Sequence, residues 1–195
     1  ILAVRLVPVH WASNFRLGDG TSGFTDPHRV HTRKPQFSFG WDIAPRLLTI
    51  GIPGDVRLVA VDDIEITSAC VRTTALDKTG ADVELVIAAV SHIGSTGVDI
   101  DATVAGQSIR DRRQLAGEAE FVFPLRLDGI ALWQPRGLGE PVLHPCVATI
   151  RRGNTVSSTQ FNFGVRTVEL VQKPQSDGGT SFILSINCTE LFIKG

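Results

Sequence analysis

The chain has 195 residues, 43% hydrophobic and 20% charged, with a formal net charge of -1. That balance offers no basic field to a nucleic acid. No apolar run reaches the roughly 20 residues that cross a bilayer, since the best candidate, Val83 to Val90, is interrupted by Glu84.

Ile1 to Val7 reads as a strand entered in mid-domain rather than as a signal peptide. Residues 12–36 are polar and rich in glycine, with Asp26-Pro27 as a turn signal, and predict a long irregular loop. His28 and His31 lie in that loop without a third ligand at a telling spacing, so no metal is expected. Arg33 and Lys34 follow and suit a loop ion pair, or contact with a sugar or phosphate.

The run from Pro35 to Pro45 is poorly suited to a regular helix, because each proline lacks the backbone donor. Phe37, Phe39 and Trp41 alternate, which predicts one aromatic face on an extended segment ending at Asp42. An indole beside a carboxylate can hold a sugar: the ring covers the C–H face and the carboxylate accepts from hydroxyls. The plainer alternative places Trp41 in a core and lets Asp42 start a turn. Asp55 to Val61 predicts a further strand.

From residue 63 the alternation is regular. Ile64 and Ile66 alternate with Glu65 and Thr67, Val83, Leu85 and Ile87 with Asp82 and Glu84, Val98, Ile100, Ala102 and Val104 with Asp99, Asp101 and Thr103, and Phe121, Phe123, Leu125 and Leu127 with Glu120 and Arg126. Cys146, Ala148 and Ile150 mark another strand, and Phe161 and Phe163 the next. Gly80, Gly94, Gly97, Gly106 and Asp128-Gly129 read as turns between them. Pro124 inside a strand predicts an edge or a bulge. About seven short antiparallel strands in roughly 100 residues predict an immunoglobulin-like β-sandwich. Asp99 and Asp101 share one face and read as a solvated strand surface. Trp133, with Pro135, Gly137 and Gly139, reads as a loop anchor or a carbohydrate platform. Phe182, Leu184 and Ile186 with Leu191 and Ile193 predict a hairpin turned at Asn187-Cys188, where cysteine does not freely take the positive φ of a tight turn. Cys70, Cys146 and Cys188 contain no C-x-x-C pair, which argues against a zinc knuckle or a dithiol centre. Buried free thiols are expected, with one disulfide left open.

The run from Arg33 to Arg46 resembles the R-K-x-Q-x-x-F-G-W-D-x-x-P-R signature of β-mannosidase-like members of glycoside hydrolase family 2. Gly51 to Leu58 is similar to that family's G-I-W-x-D-V-x-L, Leu132 to Gly139 to its L-W-W-P-x-G-x-G, and Phe163 to Leu170 to its F-G-F-R-T-V-E-L. Ser181 to Gly195 resembles the segment that opens the family's catalytic barrel. Departures occur at Ile43 and Gln134, where many members have tryptophan, at Pro53-Gly54, and at His144, where tyrosine is frequent.

The resemblance implies an all-β chain in three parts: residues 1–62 as the end of a jelly-roll sugar-binding domain, 63–165 as an immunoglobulin-like antiparallel sandwich, and 166–195 as the hairpin leading into a (β/α)8 barrel. It implies that Trp41 and Asp42 help hold the terminal sugar, and that the sandwich packs on the barrel. Retaining glycosidases use two carboxyl groups about 5–5.5 Å apart. In this family both are barrel glutamates, and the acid/base glutamate follows an asparagine. No Asn-Glu dipeptide occurs here, so the chain is expected to carry neither catalytic residue and no cofactor. A free-standing β-sandwich that binds glycans or proteins is the alternative, because fold alone does not fix function.

Overall fold

A computed structural model of the chain describes residues 3–8, 32–40 and 42–192. The chain divides into two compact units, Ile1–Val59 and Ala60–Gly195. Residues 12–31 of the predicted 12–36 loop, the His28 and His31 pair in it, Trp41 and the last three residues lie outside the described residues.

In the first unit the described residues form no strand. Residues 3–8 and 55–59 alternate as strands do, but pair with no described neighbour, and Val56, Leu58 and Val59 are exposed. The predicted aromatic face also gives way to something else. Gln36–Phe39 is a single 3-10 turn, entered from Pro35 at φ -52° and left at Gly40 with φ 104°. Proline fixes the entry angle, and glycine takes the positive φ that stops the turn. Three residues per turn separate side chains that alternation would align. Phe39 is therefore buried at 2% exposure while Phe37 stands in solvent at 65%. Leu47 N–H donates to Ser38 O at 3.0 Å, and Lys34 Nζ donates to Thr49 O at 2.6 Å.

The second unit holds ten strands among its described residues: β1 (Ile64–Leu76), β2 (Gly80–Ser91), β3 (Thr96–Val104), β4 (Gln107–Leu115), β5 (Glu118–Asp128), β6 (His144–Arg152), β7 (Thr155–Phe163), β8 (Val168–Val171), β9 (Ile183–Ile186) and β10 (Thr189–Leu191). Every pairing is antiparallel. One sheet runs β1-β2-β5, the second β4-β3-β6-β7, and a small third sheet β10-β9-β8. The first two enclose the core. Val83, Leu85 and Ile87 of β2 point inward with Phe121, Phe123 and Leu127 of β5, against Val98, Ile100 and Val104 of β3 and Cys146, Ala148 and Ile150 of β6. Burying each such side chain contributes roughly 1.5–3 kcal/mol, and the sandwich collects most of the apolar burial. The chain is thus all-β, with the immunoglobulin-like sandwich expected from the alternation.

Pro124 lies on β5, an edge strand, where its missing N–H breaks no ladder on the open side. Gly97 belongs to a strand rather than to a turn, and Gly80 closes the β1–β2 turn as the first residue of β2. Cys146 is buried, whereas Cys70 and Cys188 are exposed and all three thiols are free, so the expectation of three buried cysteines holds for one.

The β9–β10 turn has two residues, Asn187 at φ 50° and Cys188 at φ 62°. Both angles are those of a type I′ hairpin turn, in which glycine suits the second position. A non-glycine side chain at positive φ costs on the order of 1 kcal/mol. Cys188→Gly is expected to relieve it, slowing amide exchange in β9 and β10 about fivefold. Unchanged exchange would show that the turn carries no strain.

Candidate carbohydrate-facing site

Asp42 occupies a bend just after Gly40, with its side chain in solvent. Ile43, beside it, is 98% exposed. The turn described above fixes this position: the Phe39 ring is buried, Gly40 reverses the chain, and Gly40 N–H closes on Phe37 O at 3.1 Å. An exposed carboxylate on an anchored bend can accept from ligand hydroxyls. Trp41, the other expected sugar contact, lies outside the described residues.

The remaining candidates lie in the second unit. Trp133 is a loop anchor: its backbone N–H donates to Val165 O at 2.9 Å, and its backbone bridges to Pro141. One side of the indole is covered by Gly164, where an added Cβ would come within 2.8 Å of Trp133 Cβ. The Arg166 guanidinium sits 4.7 Å from the ring. The indole is thus held by its own neighbours, as a loop anchor is. A groove of about 670 Å³ runs past it, lined by Val71, Leu143, Phe161 and Val168 among others. His144 Nε2 lies 2.8 Å from Ala131 O, and its ring packs 5.8 Å from Phe163.

Asp99 and Asp101 face cations across the sheet. Arg112 lies 3.7 Å from Asp99, and Arg110 and Arg151 lie 3.4 and 3.7 Å from Asp101. They are cross-strand ion pairs on a wet face, as expected, and not an acid pair. Among the described residues no cluster of histidine, cysteine and carboxylate could hold a metal ion. Burial pushes the Cys146 thiol up to about 11, so it stays protonated and unreactive at neutral pH.

One cluster was not foreseen. Arg126 of β5 donates to Asp77 at 2.7 Å, Asp128 at 2.9 Å and Asp82 at 3.2 Å. Asp77 also accepts from the Thr79 hydroxyl at 2.7 Å and from the Thr79 and Gly80 amides. Only the Asp77-Lys78-Thr79-Gly80 turn pattern is visible in the sequence, since Arg126 is 49 residues away. The Arg126 guanidinium, with the Thr79 donors behind it, holds the Asp77 carboxyl well below its ordinary range. A depressed folded-state pKa contributes stability above the unfolded value of 3.8 and loses it as the pH falls through the folded one. Wild-type Tm should therefore drop with acidification below about pH 4. Asp77→Asn should flatten part of that acid limb, and an identical slope in the variant would refute the assignment.

No family model matches the chain. A β-mannosidase B of Aspergillus terreus is 33% identical over 174 residues, covering 87% of this chain and 20% of the relative. The crystal structure of a β-D-mannosidase from Dictyoglomus thermophilum matches with a TM-score of 0.75 and 27% identity, over 100% of this chain and 23% of that one. An exo-chitosanase of Amycolatopsis orientalis matches with a TM-score of 0.57 and 25% identity, over 68% of this chain and 16% of its own. The chain belongs with the β-mannosidase-like proteins of glycoside hydrolase family 2. It spans about a fifth of the length of the curated relatives it matches.

Proposed function

We propose that the chain is a non-catalytic accessory segment of a retaining glycosidase acting on terminal β-mannosides. The observation that carries this reading is the agreement, over most of the chain, of sequence with a β-mannosidase B and of fold with a β-D-mannosidase. The absence of an Asn-Glu dipeptide supports the non-catalytic part. On this reading residues 1–62 end a jelly-roll domain, 63–165 form the spacing sandwich, and 166–195 lead into a (β/α)8 barrel on which the sandwich packs. The exposed apolar run Val56, Leu58 and Val59 supports it too, since such runs ordinarily meet other polypeptide. Trp41 would lie against the sugar and Asp42 would accept from its hydroxyls.

The test uses aryl β-mannosides. The chain alone is expected to turn none over. In a full-length enzyme that contains it, Asp42→Asn is expected to lower kcat/KM at least tenfold, about 1.4 kcal/mol of transition-state binding, with Tm unchanged. An unaltered kcat/KM would remove Asp42 from the substrate, and hydrolysis by the pure chain would overturn the accessory role.

A further inference from the structure

The small sheet β8–β10 has little means of holding itself in place. It contributes no residue to the buried apolar core, and Val168 and Leu170 of β8 are 54% and 45% exposed. Three short strands without a buried apolar face are not stable in isolation. Its position must come from how it is tied to the sandwich, and the ties converge on the β9–β10 turn.

Asn187 is half-buried in that turn. Its Oδ1 accepts from Thr167 N–H at 3.1 Å, and its backbone N–H donates to Thr167 O at 3.1 Å. Its Nδ2 donates across to Trp133 O at 3.0 Å, in the β5–β6 loop of the sandwich. A carboxamide can donate and accept at once, and asparagine tolerates the left-handed backbone better than most residues. The Trp133 end is itself immobilised by Val165 and Gly164, and Arg166, next to Thr167, stacks on the indole. A second tie is weaker: Arg166 N–H reaches Thr73 Oγ1 of β1 at 3.3 Å.

We propose that the Asn187 side chain is the clasp that sets the small sheet on the sandwich, and that without it β8–β10 opens as a unit while the sandwich stays folded. This rests on geometry within the second unit and stands whether or not the parent protein is a glycosidase. Local opening with an intact core is the behaviour of segments with few buried apolar contacts.

The experiment is amide hydrogen exchange on the whole chain. Asn187→Gly keeps, and eases, the left-handed turn but removes both side-chain bonds. Amides of β8, β9 and β10 should exchange at least tenfold faster, while those of β2, β3 and β6 keep their wild-type rates. Asn187→Asp retains the acceptor for Thr167 and loses the donor to Trp133, so it should loosen the same strands. Wild-type protection of β8–β10 in either variant would overturn the clasp. Equal loss of protection in β2, β3 and β6 would overturn the claim that the sheet opens separately.

Discussion

Gly80→Ala is expected to destabilise the sandwich by about 3 kcal/mol, with Tm falling by roughly 6–12 °C. An added Cβ would collide with Leu127 O and sit 2.9 Å from Asp128 Cα. Both obstacles are backbone, so no rotamer change relieves them. Nor can the strands part cheaply. Gly80 pairs with Asp128, Gly129 N–H donates to Thr79 O at 2.7 Å, and Asp77 N–H donates to Gly80 O at 3.0 Å. The same turn carries the Arg126 cluster, so a displaced β2 start would also part Asp77 from its guanidinium. Thermal unfolding by circular dichroism measures the effect, and a Tm within about 2 °C of wild type would mean that the strands close less tightly here.

Leu85→Ala should cost as much by the opposite route, removing volume instead of adding it. Leu85 is 0% exposed at the middle of the central strand β2, between Val71 of β1 and Phe123 of β5. Leucine-to-alanine changes at such sites cost about 2–5 kcal/mol, through lost transfer energy and a cavity the surroundings only partly fill. A sheet neighbour on each side leaves the site little room to collapse, which favours the upper part of that range. Urea denaturation should show a lower midpoint with unchanged slope. Leu143→Ala is the contrast: Leu143 is 54% exposed, and the change should stay within roughly 0.5 kcal/mol. Similar losses in both variants would contradict the placement of the core.

Strands β2, β3, β5 and β6 were legible because their core-facing residues, such as Val83, Leu85 and Ile87 of β2, recur on one parity, even though Val86 and Val122 break the strict alternation. β4 was not. Its sequence, Gln107 to Leu115, sets Arg110, Asp111, Arg112 and Arg113 on both parities, leaving Ile109 and Leu115 as its apolar residues. An edge strand spends its side chains on solvent, so period two fades. At residues 3–7 and Asp55 to Val61 the pattern is present, but the described residues there form no strand. Near Asp42 the prolines and glycine were read rightly as helix breakers, yet they also admit a 3-10 turn. Composition does not distinguish that turn from an extended run. The Asn187 bridge was beyond reach from sequence, since its partner is a backbone carbonyl 54 residues earlier.

The margins of the two large sheets bear on how the protein behaves in concentrated solution. β4 presents alternating charge, with Arg113 2.7 Å from Asp111; β5 carries Pro124; and the facing margins of β1 and β7 are laced where Ile66 N–H donates to Ser157 Oγ at 2.9 Å. A further copy trying to add a strand would meet fixed charge, a missing donor, or an amide already engaged. Edge-to-edge growth from the folded sandwich is therefore disfavoured, and the loss of Leu85 or Gly80, by populating unfolded chains, becomes a route to aggregation as well as to instability.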